Sequence, residues 1–157
     1  MIRNKKVLIS MVLVLIVALL ISCSNDKSLS PKETIDEFLN KKAELYDYKD
    51  EILGENYLNE VDEILKKVKM LLTEKEYERL LANRYLVDYN LTNEIYDKAE
   101  IKNIEYEKIS EDKTEAIYTV RYSENLYFDN ELKQEIENTD KFYLEKIDNK
   151  WFITFLD

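Results

Sequence analysis

The stretch that decides the fold is the C-terminal sequence KFYLEKIDNKWFITFLD, residues 141–157. Two runs rich in apolar residues flank Asp148-Asn149, and both Asp and Asn tolerate the positive φ angles of a two-residue hairpin turn. This turn predicts that Ile147 pairs with Lys150. The resulting register places Phe142, Leu144, Trp151, Ile153 and Phe155 on one face, and Tyr143, Glu145, Phe152, Thr154 and Leu156 on the other. One apolar face and one mixed face are typical of an antiparallel sheet covered by helices on one side.

A second hairpin is predicted upstream. Residues 115–128 alternate regularly, and a shorter stretch with Ile104 and Tyr106 precedes them. A three-residue loop at residues 111–113 would pair Tyr106 with Tyr118, whereas a four-residue loop would shift the register and lose this match.

Two further stretches are candidates for additional strands of the sheet. The alternation from Tyr85 to Leu91 predicts a strand. The polar residues 131–140 either extend the ribbon or form a loop.

The spacing of apolar residues predicts helices over most of residues 30–85. Ser30 and Glu33 form a capping box, with Pro31 at the first helical position. The following apolar residues are spaced for one face of a helix that ends at Gly54. These residues are Ile35, Phe38, Leu39, Leu45, Ile52 and Leu53.

Two more helices are predicted before the strands begin. Apolar residues from Tyr57 to Leu72 have helical spacing, and a second capping box from Thr73 to Glu76 begins a third, shorter helix. Helices followed by strands predict the α+β class, with two to three N-terminal helices packed on a curved antiparallel sheet. We expect residues 31–157 to form this single α+β domain.

The N-terminus has the pattern of a secretory signal. Residues 1–6 carry three basic and no acidic side chains, and residues 7–22 carry no charge. The uncharged run of sixteen residues is short for a membrane-spanning helix, which needs about 20 apolar residues. We therefore expect residues 1–22 to be a signal peptide. The alternative is an uncleaved signal anchor followed by an incidental cysteine.

The sequence Leu20-Ile21-Ser22-Cys23 resembles the bacterial lipobox. The resemblance implies that a diacylglycerol is transferred to the Cys23 thiol and that the chain is cut before Cys23. Residues 23–30 are then the lipidated cysteine and a short polar tether, and the lipid holds the protein on the outer, extracytoplasmic face of the cell membrane. The excess of Lys over Arg is typical of a Gram-positive bacterium with an AT-rich genome.

Composition and charge exclude several classes of function. The 157 residues include no His, one Cys and one Gly, which leaves no catalytic triad with His, no disulfide and no glycine-rich phosphate loop. The net charge is −10, and removal of residues 1–22 leaves 33 acids against 20 bases, or −13 over 135 residues. Such an acidic domain is not expected to bind nucleic acid, and we predict neither a metal nor a cofactor.

The layout of the domain resembles small bacterial lipoproteins of the nuclear transport factor 2-like superfamily. The resemblance lies in the lipobox, the Ser-Pro-x-Glu start of the first helix at residues 30–33, the helical middle, and the closing hairpin with Asp-Asn-Lys-Trp-Phe-Ile-Thr at residues 148–154. It implies a cone-like fold in which a bent sheet wraps around a long first helix. Enzymes of this superfamily commonly use a His in the cone, and this chain has none, so that chemistry does not carry over.

Tyrosines are the candidate ligand-binding residues, since the chain has twelve of them. If the sheet closes into a cone, Tyr106, Tyr118, Tyr122 and Tyr143 are predicted to line its mouth and to bind a small apolar ligand. The alternative is that they are ordinary core and strand residues.

The acidic and amide residues from Asp88 to Glu94 partly match the pattern of a calcium-binding loop. The sixth position holds Asn93 instead of Gly, and the twelfth holds Ala99 instead of Glu, so the pattern fails where the geometry is strictest. We interpret this stretch as a solvated connector.

The function predicted from these features is a lipid-anchored, non-catalytic binding or interaction module. It would bind a small ligand in the cone or dock an envelope protein on an exposed sheet face. Two alternatives remain, namely a small enzyme that uses carboxylates and tyrosines, and an immunity-type protein whose acidic face neutralises a secreted basic toxin.

Overall fold

The computed structural model describes residues 28–46, 55–86 and 96–157, and for residues 55–60 it describes the backbone alone. The chain forms three helices followed by an antiparallel sheet of strand order β1-β2-β3-β4, which confirms the predicted α+β class. The elements are α1 (Pro31–Glu44), α2 (Glu55–Lys69), α3 (Glu74–Ala82), β1 (Lys98–Glu111), β2 (Glu115–Phe128), β3 (Glu131–Ile147) and β4 (Lys150–Leu156).

Helix α1 begins as the sequence predicts and ends earlier. The Ser30 hydroxyl accepts the Glu33 amide at 3.3 Å, and the Glu33 carboxylate accepts the Ser30 amide at 2.7 Å, which completes the capping box. The amides of Leu45 and Tyr46 donate to carbonyls only three residues back. This tighter turn ends α1 at Glu44, so the prediction of a helix reaching Gly54 is wrong in its length.

Helix α3 begins where it is predicted, but without the predicted capping box. Thr73 makes no side-chain cap hydrogen bond. The Glu76 carboxylate, with 2% of the residue exposed, accepts the Leu156 amide at 2.8 Å and two hydrogen bonds from Arg79 at 2.7 and 2.8 Å. The carboxylate that would close the box instead ties α3 to the end of β4.

The core lies between the helices and one face of the sheet. Helix α1 contacts β1 and β4, and α3 contacts β4. The ring of Phe38 on α1 meets the ring of Phe142 on β3 edge to face, with centroids 6.0 Å apart. The largest core cluster includes Ile35, Leu39, Val68, Leu80, Val120, Leu144 and Ile153.

The last hairpin has the predicted turn, but two of its residues lie on the faces opposite to those predicted. Ile147 pairs with Lys150, and the two turn residues between them have φ angles of 49° and 66°. The register shifts between Tyr143 and Leu144, which pair with Phe155 and Ile153, so β4 carries one extra residue at this point. A bulge of this kind reverses the side-chain alternation beyond it. The predicted faces of Phe155 and Leu156 are therefore exchanged, since Leu156 is buried and Phe155 is 40% exposed.

The hairpin between β1 and β2 differs from its predicted register. Tyr106 pairs with Val120, and Tyr118 pairs with Lys108. The turn is held by the Asp112 carboxylate, which accepts the amides of Thr114 and Glu115 at 2.7 and 2.8 Å. The strands pair as far as Glu111 and Ala116, so the turn is centred further along the chain than the predicted loop at residues 111–113. The bulges along β1 offset only part of this shift.

Strand β3 includes the polar residues 131–140, which extend the ribbon rather than forming a loop. It follows β2 through the two-residue turn Asp129-Asn130, whose φ angles are 52° and 61°. The same turn chemistry therefore joins both later pairs of strands.

Several predictions lie outside the described residues. They concern the signal peptide 1–22, Cys23, most of the tether, the helical positions 47–54 and the strand after Leu86. Within the described ranges, no helix has the length and apolar character needed to cross a membrane.

Candidate functional site: a polar cluster between the helices and the sheet

The helix-facing side of the sheet changes character along β2 and β3. On β2 the buried residues run from Ala116 and Val120 to Glu124, and on β3 the partners change from Leu144 to Asp140. Because residues paired across an antiparallel ladder share one face, Asp140 lies on the same side as Val120. The face that is apolar beside Leu144 is therefore polar further along.

Two tyrosine hydroxyls meet at the Asp140 carboxylate. Tyr122, with 1% of the residue exposed, donates to Asp140 Oδ2 at 2.7 Å. Tyr85, from the segment that follows α3, donates to the same oxygen at 2.9 Å. One carboxylate oxygen thus satisfies two partly buried hydroxyl groups and ties that segment to the sheet.

A lysine from the last turn of α1 completes the arrangement. Lys42 Nζ lies 4.5 Å from the centroid of the Tyr85 ring and 4.0 Å from Glu124 Oε2. The Lys42 side chain is only 12% exposed. We call Lys42, Tyr85, Tyr122, Glu124 and Asp140 the polar cluster.

The Glu124 carboxylate is the least satisfied group of the polar cluster. The residue is 4% exposed, and its Oε1 has no hydrogen-bond partner among the described residues. The other such atom within those ranges is Asn125 Oδ1, on the adjacent residue of β2. A buried acceptor without a donor costs about 1–3 kcal/mol, more when it is charged, so Glu124 is an unusual residue to place here.

The environment keeps both cluster tyrosines in the neutral form. Burial raises the pKa of Tyr85, and the adjacent Asp140 charge raises it further. Burial is also the largest cause of the raised pKa of Tyr122, followed by the effects of Tyr85 and Asp140. Both hydroxyl groups therefore keep their protons at neutral pH and can serve as hydrogen-bond donors.

The predicted site residues Tyr106 and Tyr118 form a separate pair. Their rings meet edge to face with centroids 6.0 Å apart, and Lys32 Nζ lies 4.9 and 5.7 Å from the two centroids. The Tyr106 hydroxyl donates to Asp36, and the Tyr118 hydroxyl donates to Glu111. Burial and Glu111 raise the pKa of Tyr118 to about 12. This pair fastens the first half of α1 to β1 and β2.

Tyr143 lies on the opposite, outer face of the sheet. It pairs with Phe155, and the two rings meet with centroids 5.7 Å apart. The structure therefore does not bring the four predicted tyrosines to one site. Tyr122 belongs to the polar cluster, and Tyr106 and Tyr118 lie elsewhere on the same side of the sheet. Tyr143 faces the other side because odd and even residues of a strand alternate between the two faces.

Sequence reasoning missed the other four members of the polar cluster. Lys42, Glu124 and Asp140 resemble ordinary surface charges in the sequence, and Tyr85 falls in a stretch whose alternation predicts a strand. One signal is present in retrospect, because Glu124 continues the buried alternation of Val120 and Tyr122 on β2. A charge at a position of the core-facing period is a candidate for a site.

Metal ligation is not indicated by the described residues, in which no group of three or more acidic or sulfur side chains converges. The faint calcium pattern from Asp88 to Glu94 lies outside the described ranges. The polar cluster can therefore be considered as a set of hydrogen-bonding and charged groups.

Comparison with solved structures finds chains of similar fold. The chain is similar to the crystal structure of an NTF-2 like protein of unknown function from Shewanella oneidensis MR-1, with 17% sequence identity and a TM-score of 0.46 over 81% of this chain and 97% of that chain. No protein-family model matches the chain, and a search of curated proteins gives no match. The α+β class rests on the helices and sheet order described above.

Proposed function

We propose that this protein is a lipid-anchored module on the outer face of a bacterial cell membrane, and that its domain, of the nuclear transport factor 2-like layout, binds a small ligand at the polar cluster. The binding half of the proposal is supported by one observation above all. Glu124 is buried beside two tyrosines and a lysine, yet one of its oxygens has no partner among the described residues. A ligand that supplies a donor would offset the cost of burying that oxygen.

The anchoring half is supported by the sequence around Cys23. A charged start, a short apolar run and the lipobox precede a polar tether, and α1 begins at Pro31, directly after that tether. Two or three acyl chains form a stable anchor, because each buried CH₂ contributes about 0.8 kcal/mol.

The anchor is tested by Cys23→Ala, with Ser24→Ala as the matched control. We expect Cys23→Ala to lose its acyl chains by mass spectrometry and to leave the membrane fraction or keep its leader, while Ser24→Ala stays processed and bound. A Cys23→Ala protein that is still cut after residue 22 and still membrane-bound would disprove the lipoprotein assignment.

Ligand binding is tested on the full chain purified in detergent. Small neutral, anionic and cationic compounds are added, and the thermal unfolding midpoint is recorded. We expect at least one class to raise the midpoint, and Tyr122→Phe to reduce that rise. Tyr143→Phe makes the same change on the outer face and should leave the rise intact. If no class raises the midpoint, or if both variants behave alike, binding at the polar cluster is refuted.

A second form of the proposal is that the outer face of the sheet docks an envelope protein. It is favoured by the ring pair of the half-buried Tyr143 and the exposed Phe155. The Arg79 guanidinium lies 4.6 Å from the Phe155 centroid, and Lys141 Nζ lies 5.2 Å from the Tyr143 centroid. Aromatic and arginine side chains are frequent at the centres of protein interfaces. Crosslinking in intact cells should then capture a partner with the native chain and lose it with Phe155→Ser.

The enzyme alternative is favoured by the presence of two carboxylates and two tyrosine hydroxyls in one cluster. We propose binding without turnover because both hydroxyl protons are already directed at Asp140. A ligand found in the binding experiment should be recovered chemically unchanged after long incubation. Conversion that is lost in Glu124→Gln or Asp140→Asn would establish an enzyme instead.

A further inference from the structure

The balance of charge in the polar cluster is negative. Glu124 and Asp140 contribute two formal negative charges, and Lys42 contributes one positive charge. The Lys42 ammonium lies 4.0 Å from Glu124 Oε2, beyond normal hydrogen-bonding distance, and 4.5 Å from the Tyr85 ring centroid. Because the group is largely buried, the uncompensated charge is weakly screened. A ligand with a positive charge would restore neutrality.

The hydrogen bonds of the polar cluster also favour a ligand that donates. The hydroxyl protons of Tyr85 and Tyr122 are both donated to Asp140 Oδ2. Glu124 Oε1 accepts nothing from the described residues. The buried oxygen that lacks a partner is therefore an acceptor, and a ligand that binds to it must donate.

We infer that the polar cluster binds a small organic cation that carries N–H donors, such as a primary ammonium or a guanidinium group, with Glu124 Oε1 as its acceptor. The inference rests on the proposed binding function and names the class of ligand.

Matched probes separate charge from hydrogen-bond donation. Butylammonium, butyltrimethylammonium, butanol and butyrate share one alkyl chain and differ in charge and in N–H donors. Binding to the full chain in detergent is measured by ligand-observed NMR titration. We expect butylammonium to bind most tightly, butyltrimethylammonium several-fold more weakly, and the neutral and anionic probes least. Equal binding of all four probes, or tightest binding of butyrate or butanol, would overturn the inference.

Two variants locate the cation. Glu124→Gln keeps the size of the side chain and removes its charge, and we expect it to weaken butylammonium binding by about tenfold or more. Glu115→Gln makes the same change at an exposed position of β2 and should leave the affinity unchanged. Circular dichroism checks that both variants fold. Equal affinities in Glu124→Gln and Glu115→Gln would show that the cation binds elsewhere.

The outcomes distinguish this inference from the proposed function on which it rests. Binding of an anionic or neutral probe that Tyr122→Phe weakens would refute the cation and leave the binding module intact. No binding of any probe, together with no rise in the thermal midpoint across the wider compound classes, would refute both. The probe series on the native chain remains decisive even if Glu124→Gln fails to fold.

Discussion

The two ends of the interface between α1 and the sheet differ in how they are filled. At the apolar end, Ile35 and Phe38 pack against Phe142 and Ile153, all of them inaccessible to solvent. At the polar end, one helical turn beyond Phe38, Lys42 faces the rest of the polar cluster. The same helix and the same strands build both ends.

The apolar end stabilises the fold, whereas the polar end has a group that is available to bind a ligand. The apolar end needs no partner, because burial of apolar area is non-directional and complete there. The polar end is satisfied at Asp140 and unsatisfied at Glu124. Buried polar groups are worth keeping only where they fix geometry or bind something, so the polar end is the place to look for a ligand.

The largest expected loss of stability comes from a substitution at the apolar end. Phe142→Ala removes a fully buried ring that contacts Phe38, and we expect it to destabilise the fold by about 3–5 kcal/mol in urea unfolding. Phe155→Ala is the matched control on the outer face and should cost much less. Similar losses for the two variants would show that the helix-facing side is not the main core.

A smaller effect is expected at the polar end. Asp140→Ala leaves the hydroxyls of Tyr85 and Tyr122 without their acceptor, which we expect to cost about 1–3 kcal/mol in urea unfolding. Asp140→Asn keeps an acceptor oxygen at the same position and should lose less. If the alanine variant is as stable as the native protein, the two hydrogen bonds do not support the fold.

Alkaline pH should act on the polar end through Tyr122. A free tyrosine has a pKa of about 10, and burial raises the folded-state pKa of Tyr122. Below pH 10 both states hold the proton, and above it the unfolded chain loses the proton while the folded chain keeps it. Stability should therefore fall as pH rises, with Tyr122 contributing about 1.4 kcal/mol per pH unit.

The measurement is the urea midpoint between pH 9 and pH 11.5. Tyr122→Phe should flatten the pH dependence by that amount, and Tyr143→Phe on the outer face is the matched comparison. An unchanged slope in Tyr122→Phe would mean that this hydroxyl is open to solvent.

The smallest effect concerns the helix that both ends share. Ser30→Ala removes the side chain that caps α1, and we expect a loss of about 1 kcal/mol in urea unfolding. Ser28→Ala changes an exposed serine just before the helix and should have no measurable effect. A loss well above that of Asp140→Ala would indicate that α1 depends on its cap more than on the polar end.

The parts of the fold set by local chemistry were predictable from the sequence. The capping box at Ser30 and the turn at Asp148-Asn149 depend on neighbouring residues alone, and both are present. The exchange of Phe155 and Leu156 was not predictable, because a bulge changes the alternation without leaving a residue signature.

The candidate site was predictable only at Tyr122. Glu76 shows the reason, because its spacing fits a capping box while its carboxylate is held by Arg79 and the distant Leu156 amide. Lys42 and Asp140 likewise have meaning only once α1, β2 and β3 are assembled. Long-range hydrogen bonds override local pattern, and a single sequence does not record them.

The two-residue turns have a consequence for the order in which the chain folds. β2, β3 and β4 are joined by Asp129-Asn130 and Asp148-Asn149, so their pairing begins with very short loop closures and can form early. The hydrogen bond from Tyr85 to Asp140 closes a separation of 55 residues. We therefore expect the meander to form before α1 and the segment carrying Tyr85 dock on it. A chain caught late in folding would have its sheet and lack its polar cluster, so binding competence would mark the last folding step.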